Sequence, residues 1–150
     1  MRINKLTDYG IVIMTRIAAM DSSRIYTAKE LAKISKIPLP TVTRVLKTLS
    51  NEKILVSQRG KQGGYGLTNS PSSISIASII EAFEGPIALI DCANNESTCS
   101  YENGCCTQEP WQKINQTVRT SLDNIKLADM LQTNQNDRLV QLDIGPGVKA

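Results

Sequence analysis

Four cysteines, Cys92, Cys99, Cys105 and Cys106, share the stretch CANNESTCSYENGCC and are the only thiols of the chain. The residues between them are mostly Gly, Asn, Glu and Ser with a single Tyr, too little apolar surface to order the segment by burial. Thiolates are soft donors that select zinc, Cu(I) or iron–sulfur clusters. A bound metal is therefore the first chemistry this stretch suggests, and a disulfide loop or unconnected free thiols are the plainer alternatives.

The rest of the chain must position such a centre. At 150 residues with 41% hydrophobic content, it can form one modest domain and an appendage. The N-terminal MRINKLTDYGIVIM meets Arg16 before any apolar run long enough for a cleavable signal or a bilayer span. This places the protein in the cytoplasm, away from the membrane, where thiols serve more often as metal ligands or redox centres than as structural disulfides.

The net charge of +3 hides a polarity along the chain. Residues 1–66 carry 12 Lys and Arg against 4 Asp and Glu, a net of +8, whereas residues 67–150 carry 5 against 10, a net of −5. A basic N-terminal half points to a polyanionic partner, and a solvated basic face is its plainer reading.

Leu6, Tyr9, Ile13, Ile17 and Met20 recur at three- and four-residue steps and predict an amphipathic helix over residues 5–20. Asp8 falls in its first turn, where the helix dipole favours an acid whatever else it does. Thr27 with Glu30 forms a capping box that opens a short helix through Leu31, Ala32 and Ile34. After a break at SKIP, Pro40 lies in the first turn of a third helix that turns Val42, Val45, Leu46 and Leu49 inward. Two short helices around a tight turn make a helix-turn-helix, whose second helix enters a major groove. Its outward residues, Thr41, Thr43, Arg44 and Lys47, are of types that bond base edges and phosphates.

The β-branched run ILVSQR, the turn GKQGG and the segment YGLT read as strand, turn and strand. A hairpin at this place is a wing, with Arg59 and Lys61 placed to reach phosphates or an adjacent minor groove. GKQGG is not a nucleotide-binding loop, because it lacks the GK[ST] ending and a strand-to-helix setting. Ser75 caps a helix bearing Ile76, Ile79, Ile80 and Phe83 that stops at Gly85-Pro86. Pro110 starts a last helix with Trp111, Ile114, Val118, Leu122 and Ile125 on one stripe. Little chain remains to cover that stripe, so pairing with a second copy is the economical expectation, and packing back on the first helix is the alternative. The expected fold class is mostly α with a small β-hairpin. Its parts are a winged helix-turn-helix domain over 1–85, the cysteine loop over 86–109, a dimerisation helix region over 110–133 and a disordered tail over 134–150.

Taken together, MRINKLTDYG, IPLPTVTRVLKTL, RGKQGGYGLT, SIASIIEAFEGP and spaced cysteines before a Trp helix resemble the IscR/NsrR group (Rrf-two family) of winged-helix transcription regulators. Within it the chain looks most like the regulators of SUF iron–sulfur assembly operons, over about residues 1–131. The resemblance implies a homodimer on a palindromic operator in double-stranded DNA, a wing Arg in the minor groove and an iron–sulfur cluster, [2Fe-2S] or [4Fe-4S]. Carried over by position, its ligands would be Cys92, Cys99 and Cys105, with six and then five residues between them. Such spacing suits a zinc ribbon badly, since that needs close CxxC knuckles. Cys106 is the surplus thiol, because neighbouring side chains in extended backbone point apart.

Some relatives use a His three residues after the third cysteine, but Gln108 stands there and the chain has no His. Others use the acid of the LTDYG segment from the opposite subunit, which here is Asp8. The expected function is thus a DNA-binding repressor that senses cluster status, oxidants or nitric oxide and controls iron–sulfur assembly genes. One rival is a metal-free cysteine-redox regulator of the same fold. The other, a small electron-transfer protein or thiol enzyme, gains no support from a chain without His, nucleotide loop or CxxC pair, so no enzyme is expected.

Overall fold

The computed structural model describes residues 2–90 and 108–134. In chain order these form α1 (Lys5–Ala19), α2 (Ala28–Ser35), α3 (Leu39–Asn51), β1 (Leu55–Gln58), β2 (Gly64–Leu67), α4 (Ile76–Glu84) and α5 (Gln108–Asn124), then a 3-10 turn over Asp129–Asn134. This is the mostly helical architecture with one small hairpin that the sequence predicts.

Local chemistry sets most of the boundaries. Asn4 caps α1 by accepting from the Thr7 amide, and Ser75 caps α4 by accepting from that of Ser78. The Thr27–Glu30 capping box is complete in both directions. Pro38 stands at the N-cap of α3 without a side-chain cap, and Pro40 occupies its first turn, where a missing amide costs nothing. Lys36 ends α2 in the left-handed region at φ 57°, turning the chain into α3. The hairpin pairs Leu55 with Leu67 and Gln58 with Gly64, leaving residues 59–63 as its tip.

The core forms where α1, α3 and α4 meet. Ile13, Met14, Ile17, Val42, Val45, Leu46, Leu49 and Ile79 are all fully buried, joined by Leu31, Leu55 and Leu127. Each such side chain removes about 1.5–3 kcal/mol of apolar surface from water, so α3 is held by four anchors along one face. Gly10 is buried because α1 and α4 approach closely there, and a Cβ would stand 2.4 Å from Phe83 Cε2.

Three details depart from the pattern. Ile34 is exposed, because an eight-residue helix buries a narrow stripe that Leu31 already fills. Helix α5 begins at Gln108 rather than Pro110 and ends before Ile125. Its stripe divides: Trp111 and Ile114 are exposed, while Leu122 and Ile125 pack on the core. The covering partner at that end is chiefly α4 rather than α1, with Arg119 paired to Glu81 at 3.2 Å.

Beyond α5 the chain returns to the core. Ile76 N–H donates to Ile125 C=O at 2.9 Å and Leu127 N–H to Ile74 C=O at 2.8 Å, which seats Leu127 fully buried beneath α4. The expected tail falls almost entirely outside the described residues.

Candidate nucleic-acid interface and sensor region

The turn after α2 and the core anchors of α3 fix which residues α3 turns outward. Thr43, Arg44 and Lys47 are exposed, and Thr41 is half-buried. Arg59 and Lys61 are exposed at the hairpin tip. Only two ion pairs form among the described residues, Arg24–Glu30 and Arg119–Glu81. The cations of α3 and of the wing tip are therefore unneutralised by described carboxylates, the state in which cations release DNA counterions on binding.

The wing is tied to the body at its root. Tyr26 and Tyr65 exchange two backbone hydrogen bonds, N–H to C=O at 2.9 and 2.7 Å, and Thr68 N–H donates to Ile54 C=O at 3.2 Å. The tip closes through Gly63 N–H to Gly60 C=O at 3.0 Å, with Gly60 at φ +111°. Arg59 and Lys61 thus sit on a hairpin whose base is bonded to the segment before α2.

Asp8 is exposed in the first turn of α1. It lines an open depression of about 680 Å³ together with Arg2, Ile3, Asn4, Lys5 and Ile11. The start of α1 is fastened to the end of α4. The fully buried Thr7 donates its hydroxyl to Glu84 Oε1, and the Asn4 amide donates to the same oxygen at 2.9 Å. These donors, Thr7 first, hold the Glu84 carboxyl below its usual range.

From Glu84 the chain turns at Gly85 and runs toward the cysteines. Buried Asn115 of α5 pins this segment: its Oδ1 accepts from Leu89 N–H at 3.0 Å, and its Nδ2 donates to Ile87 C=O at 3.1 Å. Cys92, Cys99, Cys105 and Cys106 lie outside the described residues. Among the described residues no three His, Cys, Asp or Glu side chains group as a metal site, and no helix is long and apolar enough to cross a membrane.

Sequence reading missed the Asn4–Thr7–Glu84 contact and the Asn115 clamp. Asn115 had one signal, a polar residue next to Ile114 and four residues after Trp111 on an otherwise apolar helix side.

A helix-turn-helix followed by a tethered, cationic hairpin defines a winged-helix DNA-binding regulator. The family model Rrf2, described as iron-dependent transcriptional regulator, matches residues 3–133, and the chain belongs to this family. It is a DNA-binding transcriptional regulator and not an enzyme. The chain is similar in structure to CymR of B. subtilis, the global cysteine regulator, with 25% identity, a TM-score of 0.71 and 89% of this chain and 98% of that chain covered. A Listeria innocua transcriptional regulator gives 26% identity and a TM-score of 0.71 over 100% and 97% of the two chains. IscR of T. potens shares the fold at 24% identity and a TM-score of 0.67, over 94% of this chain and 93% of that chain.

Proposed function

We propose that the protein is a homodimeric repressor that senses iron–sulfur cluster status and regulates iron–sulfur assembly genes in the cytoplasm. Cys92, Cys99 and Cys105 would hold the cluster, with Asp8 of the partner subunit as the fourth ligand. The donor chemistry fits: three thiolates match iron–sulfur clusters, and a carboxylate is a harder, weaker donor that makes the set easy to disrupt. When bound, the cluster supplies a centre that reacts with oxidants and nitric oxide.

The observation that carries this reading is the exposure of Asp8 on a helix start that is bonded to Glu84, the residue from which the chain leaves for Cys92. A ligand bridging Asp8 of one subunit and the thiols of the other would fix the separation of two α3 helices, which palindromic half-sites require. Thr41, Thr43, Arg44 and Lys47 would contact the major groove, while Arg59 and Lys61 would meet the minor groove or its phosphates. Trp111 and Ile114, exposed on α5, would be covered by the second copy.

Anaerobic reconstitution with iron and sulfide counts and a visible spectrum tests the cofactor, and Asp8→Ala beside the parent tests the fourth ligand. Binding to operator duplexes, enriched from a random-sequence pool, is then compared with and without the cluster. Equal affinities would refute the switch. The second reading, a metal-free regulator acting through thiol oxidation, draws on the similarity to the cysteine regulator CymR. A colourless protein whose DNA affinity follows thiol oxidation would establish it instead.

A further inference from the structure

Leu39 opens α3 with its side chain 38% exposed, an apolar group at the groove end of a helix otherwise outward-facing through Arg44 and Lys47. One turn on, at the i+4 position that shares its face, Thr43 donates its hydroxyl proton to Leu39 C=O at 2.9 Å. A threonine hydroxyl has one donor and two acceptor lone pairs, so with that proton committed Thr43 Oγ1 is left to accept. In the major groove the bases that donate are adenine through N6 and cytosine through N4, whereas guanine offers only acceptors. The thymine C5-methyl is the apolar feature of the same groove.

We propose that Leu39 and Thr43 form a base-reading pair that selects A·T, Leu39 by contact with the thymine methyl and Thr43 by accepting from adenine N6–H. The proposal rests on α3 being the recognition helix. DNA is the occupant of this face because Arg44 and Lys47, on the same exposed surface, lack carboxylate partners among the described residues and supply the matching charge. The role of Thr43 is sharpened by the same bond: its hydroxyl discriminates against guanine, which Arg44 would read instead.

The test uses the full-length protein and duplexes enriched from a random-sequence pool. The enriched sites are expected to hold a fixed A·T pair in each half-site. Replacing its thymidine by deoxyuridine removes only the methyl and should weaken binding about fourfold, the effect of one buried methylene-sized group. Leu39→Ala should bind both duplexes equally, and Thr43→Val should lose the discrimination against guanine at the adenine position that Thr43→Ser keeps.

A wild-type protein indifferent to deoxyuridine at every fixed position overturns the assignment, as does a Leu39→Ala protein that keeps the full methyl effect. If Leu39→Ala instead lowers the sedimenting mass of the DNA-free protein and leaves the methyl effect intact, the face pairs two copies and the proposal falls. If Arg44→Ala also binds the enriched sites with parent affinity, α3 lies outside the groove and the underlying reading fails with it. Absence of the methyl effect in the wild-type protein, with Arg44→Ala still impaired, overturns only the Leu39–Thr43 assignment.

Discussion

Replacing Gly64 by Ala should damage the protein out of proportion to the one methyl added. Gly64 sits at φ +156°, and a Cβ there would lie 2.4 Å from Tyr26 O, 2.7 Å from Tyr26 C and 2.8 Å from Ile25 Cγ2. Two of those atoms are backbone and cannot swing aside. Tyr26 O is also the acceptor for Tyr65 N–H, so relief of the clash breaks the paired bonds that root the wing. Two backbone hydrogen bonds at about 1 kcal/mol each, overpacking of about 1–3 kcal/mol and backbone strain of about 1–2 kcal/mol give a loss of about 4–7 kcal/mol.

Gly60→Ala is the control, since Gly60 has φ +111° but nothing within 4 Å of its Cβ. Only backbone strain of about 1–2 kcal/mol then applies. Urea unfolding at constant m-value measures both variants, and amide exchange at Tyr65 reports whether the wing root opens. A Gly64→Ala protein whose urea midpoint and Tyr65 exchange match those of Gly60→Ala would refute the close approach of wing and body.

Asn115→Ala removes two hydrogen bonds to the segment before Cys92, a loss of about 2 kcal/mol. Amide exchange at Leu89 should quicken about thirtyfold, and an unchanged rate would exclude the clamp. Glu84 has a depressed folded pKa, so its contribution is full above the unfolded value near 4.3 and is lost as pH falls through the folded one. Melting temperature should therefore drop below about pH 4.3, less steeply in Glu84→Gln, and equal acid slopes would count against the contact with α1. If the proposed homodimer is built on α5, Trp111→Ala with Ile114→Ala should weaken self-association by about 2 kcal/mol or more, seen as monomer in sedimentation, while an undiminished dimer would move the interface elsewhere.

Most of the winged helix was legible because its signals are local. The capping box at Thr27 and Glu30, the placement of Pro40, the Ser75 cap and the inward set of α3 each depend on residues within one or two turns. The unexpected parts arise between distant segments. Nothing near Leu127 announces that it will lie fully buried under α4, because the bonds that seat it come from Ile74 and Ile125. Gly10 gave no sign of its tight approach to Phe83, since the constraint belongs to a second helix. In the candidate site, Arg44, Lys47, Arg59 and Lys61 were placed outward correctly. The residue type of Thr43 left open whether its hydroxyl would donate or accept, and that is settled by the backbone geometry of α3, which commits its proton to the Leu39 carbonyl.

The clamp at Asn115 has a consequence for how such a regulator can change over time. It grips the chain at Ile87 and Leu89, before the cysteine stretch, from the helix that follows that stretch. The two ends between which residues 91–107 run are thereby already joined, and closing a longer flexible chain between joined ends costs only about 0.6 kcal/mol for each doubling. The number and spacing of thiols can be rewritten there without renegotiating the DNA-reading body. Grafting a stretch with different cysteine spacing between Ile90 and Gln108 should accordingly yield a protein that folds as before, and under the proposed function its response to oxidants would change with the spacing.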